Sequence, residues 1–157
     1  MDLKLEVIVL PVSDADRAKS FYEAAGFRLD VDQTFSDDYR LVHLTPPGSH
    51  CSIMFGKGMT AATPGSTQGL YLIVSGIEEA RAQLVGHGIE VSEVFHDADG
   101  VLYHGHEAGS VTHDGMGQGR LSGPHPDHAT YSSYASFSDP DGNGWVLQEI
   151  TERFPGR

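Results

Sequence analysis

The hydrophobic pattern opens with KLEVIVLPV at residues 4–12, β-branched and apolar over most of its length. This predicts a strand, with Pro11 marking an edge position or a bulge near its end. Ser13 suits a helix N-cap, and Asp14 and Asp16 place negative charge in the first turn that follows. In ADRAKSFYEAA, residues Ala18, Phe21, Tyr22 and Ala25 fall on one face of a helix. Gly26 suits the left-handed residue that ends it. Three strand-like runs come next: Phe27 to about Phe35, Tyr39 to Thr45, and Ser49 to Phe55. Ser36-Asp37-Asp38 and Pro46-Pro47-Gly48 break them apart. The first third of the chain therefore reads β-α-β-β-β.

The same order then repeats. Residues 56–67, GKGMTAATPGST, have the small, Gly- and Pro-bearing composition of a linker. GLYLIV predicts a strand, and IEEARAQLVGH a helix with Ile77, Ala80, Leu84 and Val85 on one face and Gly88 as its stop. Ile89 to Phe95, Tyr131 to Ser138 and Trp145 to Ile150 supply three further strands. At an offset of 62 residues, LPVSDADRAKSFYEAAGF falls on LIVSGIEEARAQLVGHGI, with Leu10 on Leu72, Val12 on Val74, Ser13 on Ser75, Ala18 on Ala80 and Gly26 on Gly88. A unit of this kind buries its sheet poorly alone, so a repeat argues for two units sharing one architecture. The expected fold is α+β: two βαβββ modules forming a cupped mixed sheet with helices outside. Module one covers 1–56, a linker 57–67, and module two 68–157, within one structural domain.

Residues 97–130 break the repeat. They hold seven glycines and two prolines, which predicts a long loop insertion. Five of the nine histidines lie in it: His104, His106, His113, His125 and His128, with His96 just before. His104-Gly105-His106-Glu107 offers metal donors, but no preorganised spacing such as HExxH occurs. The segment reads either as a solvated loop or as a lid, with Tyr103, Met116 and Leu121 able to cover an apolar ligand.

Composition narrows the partners. The chain has 157 residues and a formal net charge of −12, which disfavours nucleic-acid backbones and anionic membrane surfaces. Cys51 is the single cysteine. It has no internal disulfide partner, so a reducing, cytoplasmic setting is expected. No apolar run approaches the roughly 20 residues of a membrane span, and the N-terminus lacks a signal-peptide layout.

VSDADRAKSFY after the first strand and FSDPDGNGW before the last resemble the vicinal oxygen chelate superfamily, the glyoxalase, bleomycin-resistance and extradiol-dioxygenase fold. The resemblance covers nearly the whole chain outside the insertion. It implies a divalent metal held by side chains of the first and last strands of each module. The corresponding positions are Val7, Gly69 and Val146, with a fourth near Ser52 or Ile53. Val7, Gly69 and Val146 have no donor atom, and a divalent metal needs several. A one-residue slip would bring in Glu6 and Gln68, but it would also turn each side chain to the other sheet face. No cofactor is therefore expected.

Other residues become the candidates. Gln148 shares a strand face with Val146 and reads as a ligand-orienting amide or a solvated strand end. His43 lies between Val42 and Leu44, a half-buried histidine or, facing the cup, an acid or base. Tyr134, Trp145 and Tyr103 are aromatic candidates for lining the site, against the plainer reading as core. Cys51 reads as a small buried residue. The expectation is a protein that binds a small organic ligand in the cup between modules, without the usual metal, in the manner of the antibiotic-sequestering branch. The alternative is a metal-dependent lyase or dioxygenase with displaced ligands, or a metal-free isomerase or lyase. The resemblance also implies a homodimer.

Overall fold

The computed structural model describes residues 1–97 and 120–155. The chain is α+β, with a four-stranded and a five-stranded mixed sheet and one helix against each. Two compact units divide it. The first comprises Met1–Thr67 with Asp139–Asn143, and the second Gln68–Ser138 with Gly144–Arg157. Among the described residues no helix is long and apolar enough to cross a membrane.

The first unit runs β1 (Val7–Val9), α1 (Ala15–Ala24), β2 (Arg28–Ser36), β3 (Tyr39–Thr45) and β4 (Ser52–Phe55). Its sheet order is β1-β4-β3-β2, with β1 parallel to β4 and the other pairs antiparallel. Alternation sends Val42, Leu44, Ile53 and Phe55 to the face beneath α1, where all four are buried. The Tyr22 ring of α1 meets Phe27 at 5.2 Å and Phe55 at 5.7 Å. The N-cap is Asp14, one residue after the expected Ser13. Its carboxylate accepts the N–H groups of Asp16 and Arg17 at 3.0 Å. Ser13 is drawn off instead by Asp141, to which its N–H donates at 3.1 Å and its hydroxyl at 2.5 Å. Gly26 ends the helix with φ +92°.

Two sets of polar contacts fasten the α1 face. Arg40 reaches Asp32 at 2.9 Å and Asp16 at 2.8 Å, and Lys19 reaches Asp32 at 2.8 Å. Hydrogen bonds from Arg40 and then Lys19 pull the Asp32 carboxyl down to about 2. A folded-state value below the unfolded one makes the unfolded chain the better proton binder, so stability rises with pH across that interval. The contribution is complete above the unfolded value of 3.8 and is lost as pH falls toward 2. Urea midpoints measured from pH 5 down to pH 2 should therefore fall less steeply in Asp32→Asn than in the parent. Parallel curves would remove Asp32 from the acid response.

The second set is the turn Asp139–Asn143. Asp139 Oδ1 accepts the N–H groups of Asp141, Gly142 and Asn143 at 2.9–3.0 Å. Its Oδ2 accepts the Tyr22 hydroxyl at 2.9 Å and Asn143 Nδ2 at 2.8 Å. The acidic and amide residues of DPDGN thus build their own turn and seat it in the first unit.

The second unit runs β5 (Leu70–Val74), α2 (Ile77–Gly86), β6 (Phe95–Asp97), β7 (Arg120–Ser122), β8 (Ser133–Ser138) and β9 (Gly144–Glu149), with sheet order β5-β9-β8-β6-β7. Two features differ from expectation. Strand β7 lies inside the stretch expected as loop, paired to β6. The strand expected from Ile89 begins only at Phe95. The reason lies in its contact with β8: Ser92 N–H donates to the Ser136 carbonyl at 2.8 Å while its hydroxyl accepts Ser136 N–H at 2.9 Å. A side chain thus replaces a backbone acceptor, and the regular ladder is lost there. Gly76 offers α2 no side-chain cap. Buried Glu149 of β9 takes over, accepting the Ile77 N–H at 2.9 Å, with His128 Nδ1 3.4 Å from its other oxygen.

Candidate functional site

Each sheet has a face turned away from its helix, and these faces carry the candidate residues. On the first sheet, Val7 pairs with Ser52, Val9 with Met54, and Met54 with His43. All point away from Tyr22 and α1. His43 Nε2 is buried and has no hydrogen-bond partner among the described residues. Ser52 is buried at 6% exposure and lies 2.8 Å from the Thr45 hydroxyl. Thr45 in turn donates to Asp30, which Arg28 Nε contacts at 2.6 Å. Arg28 first, and then Thr45, hold the Asp30 carboxyl below its ordinary value.

On the second sheet the face away from α2 is aromatic. Phe95, Tyr134 and Val146 form a buried cluster with Tyr71 against it. Tyr134 stacks on Phe95 at 5.6 Å, and the Arg120 guanidinium lies 3.4 Å from the Phe95 ring centre. Gln148 is the cross-strand partner of Tyr134 and is buried. Its Nε2 donates to the Tyr131 carbonyl at 3.1 Å, an oxygen that also accepts the Tyr134 hydroxyl at 2.5 Å. Tyr131, at φ +68°, is thus fixed between two candidate side chains. Its own hydroxyl is buried without a partner among the described residues.

The expected residues separate accordingly. Gln148 and Tyr134 share one face with Val146. Trp145 lies on the other, α2-side face, stacked on Phe137 at 6.0 Å with the rings 4° apart. Tyr103, Met116 and the histidines 104, 106 and 113 lie outside the described residues. His96 gives its Nδ1 to the Gly123 carbonyl at 2.9 Å. The Cys51 thiol is pushed up by burial. Tyr71, Phe95 and Arg120 are site neighbours that only the structure supplies, while the resemblance points to Ser52 only as a candidate fourth metal position. Tyr71 shares the face of Ile73 by alternation, but the offset of 62 points to Gly69 and passes over it. Val146 in fact pairs with Tyr71.

A model of the Glyoxalase/Bleomycin resistance protein/Dioxygenase superfamily matches residues 4–147. The chain belongs to that superfamily. Among similar solved structures is TnmS3, an antibiotic binding protein from Streptomyces sp. CB03234, at 27% identity and TM-score 0.62, over 95% of this chain and 97% of that one. A glyoxalase/bleomycin resistance protein from the same Streptomyces strain is also 27% identical, with TM-score 0.59 over 93% of this chain and all of its own. A superfamily member from Sphaerobacter thermophilus DSM 20745, 23% identical with TM-score 0.59, shares the fold. No curated protein matches the chain.

The superfamily's usual metal does not fit the residues present. Val7 and Val146 are hydrocarbon, and Ser52 opposite Val7 offers only a single neutral hydroxyl oxygen, short of the several donors a divalent metal needs. Gly69 sits at φ +73°, a conformation in which any ligating side chain would be strained. Among the described residues, no group of three His, Cys, Asp or Glu side chains is placed to hold a metal ion.

Proposed function

We propose that this superfamily member binds a small organic ligand without the usual metal, as an antibiotic-binding or sequestering protein. The observation that carries the reading is the loss of donor atoms at Val7, Gly69 and Val146 in a chain that keeps the superfamily fold. The aromatic face of Tyr71, Phe95 and Tyr134 beside the Gln148 amide supports it, because ligand sites combine apolar walls with a few placed polar groups. The similarity to TnmS3, described as antibiotic binding, points the same way. Sequestration needs no chemical step. The reading includes a second copy of the chain as partner and a cytoplasmic location.

Isothermal titration against aromatic and glycopeptide antibiotics, bleomycin among them, tests it on protein whose metal content is known from elemental analysis. Saturable heat with metal at background is the expected result. Silence from every compound, or binding that appears only with stoichiometric metal, overturns it. The unpartnered Nε2 of His43 favours a second reading, a metal-free isomerase or lyase with His43 as acid or base. Recovering the bound compound unchanged by mass spectrometry separates the two.

A further inference from the structure

The Arg28–Asp30–Thr45–Ser52 chain on the first sheet has a direction. At neutral pH the Asp30 carboxylate has no proton and only accepts. Thr45 has one hydroxyl proton and donates it to Asp30. The 2.8 Å contact between the Thr45 and Ser52 hydroxyls must then use the Ser52 proton. Ser52 Oγ is left with lone pairs and no proton to offer. Two positions away on the neighbouring strand and on the same face stands His43, the partner of Met54. Such diagonal neighbours lie about 7 Å apart, a span one organic ring system covers. The His43 Nε2 is buried and unpaired among the described residues, a state costly to leave unmet.

We propose that this face of the first sheet binds a hydroxyl- or amino-bearing part of the organic ligand, with Ser52 Oγ as a dedicated acceptor and His43 Nε2 as the second polar contact. The inference rests on the ligand-binding reading and adds the ligand's polarity. Ser52 stands across from Val7, where the superfamily resemblance puts a metal ligand. A metal takes lone pairs from its ligand. An acceptor-only serine takes a proton donor instead, so the preference among ligands is reversed.

The test compares 2-naphthol with 2-methoxynaphthalene, which differ in the hydroxyl proton and one methyl, by NMR titration of the amide spectrum. The expected result is about fivefold to tenfold tighter binding of the naphthol, with shifts at residues 43, 45 and 52. Ser52→Ala should bring the two affinities together. Thr45→Val frees the Ser52 proton to donate, so it should narrow the gap by tightening the ether. The amide spectrum reports whether each variant is folded. Equal affinity for both probes in the parent, or an unchanged ratio in both variants, overturns the proposal. Silence from both naphthalenes while an antibiotic saturates overturns it alone and leaves ligand binding standing. Silence from every compound overturns both.

Discussion

Asn143→Ala should lower stability by about 3–4 kcal/mol, far beyond the typical single substitution. Asn143 is fully buried and spends its amide on three partners. Its Nδ2 donates to the Pro11 carbonyl at 2.9 Å and to Asp139 at 2.8 Å, and its oxygen accepts the Thr67 N–H at 3.1 Å. Alanine removes the acceptor of the half-buried Thr67 N–H, a donor to the Asp139 carboxylate and one of the two donors to the Pro11 carbonyl, which keeps the Gly65 N–H. Each loss counts about 1–3 kcal/mol, with incomplete additivity. For a chain of this size the melting temperature should fall by roughly 10 °C. Asn143→Asp should do no better, because a carboxylate cannot donate to Pro11 and faces the Asp139 carboxylate. Urea unfolding of the three proteins is the measurement. A loss below about 1 kcal/mol for alanine would mean that solvent replaces the amide, and that DPDGN is a turn of convenience.

Gly65→Ala should cost about 3 kcal/mol, although the change adds one methyl group in a segment that reads as linker. Gly65 has φ +79°, and an added Cβ would sit 2.0 Å from the Asp141 carbonyl oxygen. That oxygen belongs to backbone, in the turn that Asp139 and Asn143 hold in place. The Gly65 N–H, which donates to the Pro11 carbonyl at 3.0 Å, would be pulled away. Gly26→Ala is the control. It carries φ +92° with nothing within 4 Å of the added carbon, so only the backbone term of about 1 kcal/mol applies. Equal losses for the two alanines, read from denaturant midpoints, would show that the turn yields to the clash.

Much of the fold was legible because it rests on local periodicity. The apolar spacing of Ala18, Phe21, Tyr22 and Ala25, the stop at Gly26 and the runs of β2 and β3 need only the chain's own dihedral preferences. The cap moved from Ser13 to Asp14 because Asp141, more than a hundred residues away, takes the serine. Strand β7 and the irregular stretch before Phe95 escaped notice for a related reason, since Arg120–Ser122 becomes a strand only by pairing with β6.

The site divides along the same line. Sequence by itself determined that Val7, Gly69 and Val146 lack donors, and placed Gln148 on the face of Val146, since alternation along one strand is a local rule. Only the tertiary structure decided that Trp145 turns to α2 while Tyr134 joins Gln148. It alone paired Val146 with Tyr71, and gave the Ser52 hydroxyl a fixed proton direction through Thr45 and Asp30. Cross-strand register and hydrogen-bond direction depend on which strands meet, and that is a property of pairs of segments rather than of either one.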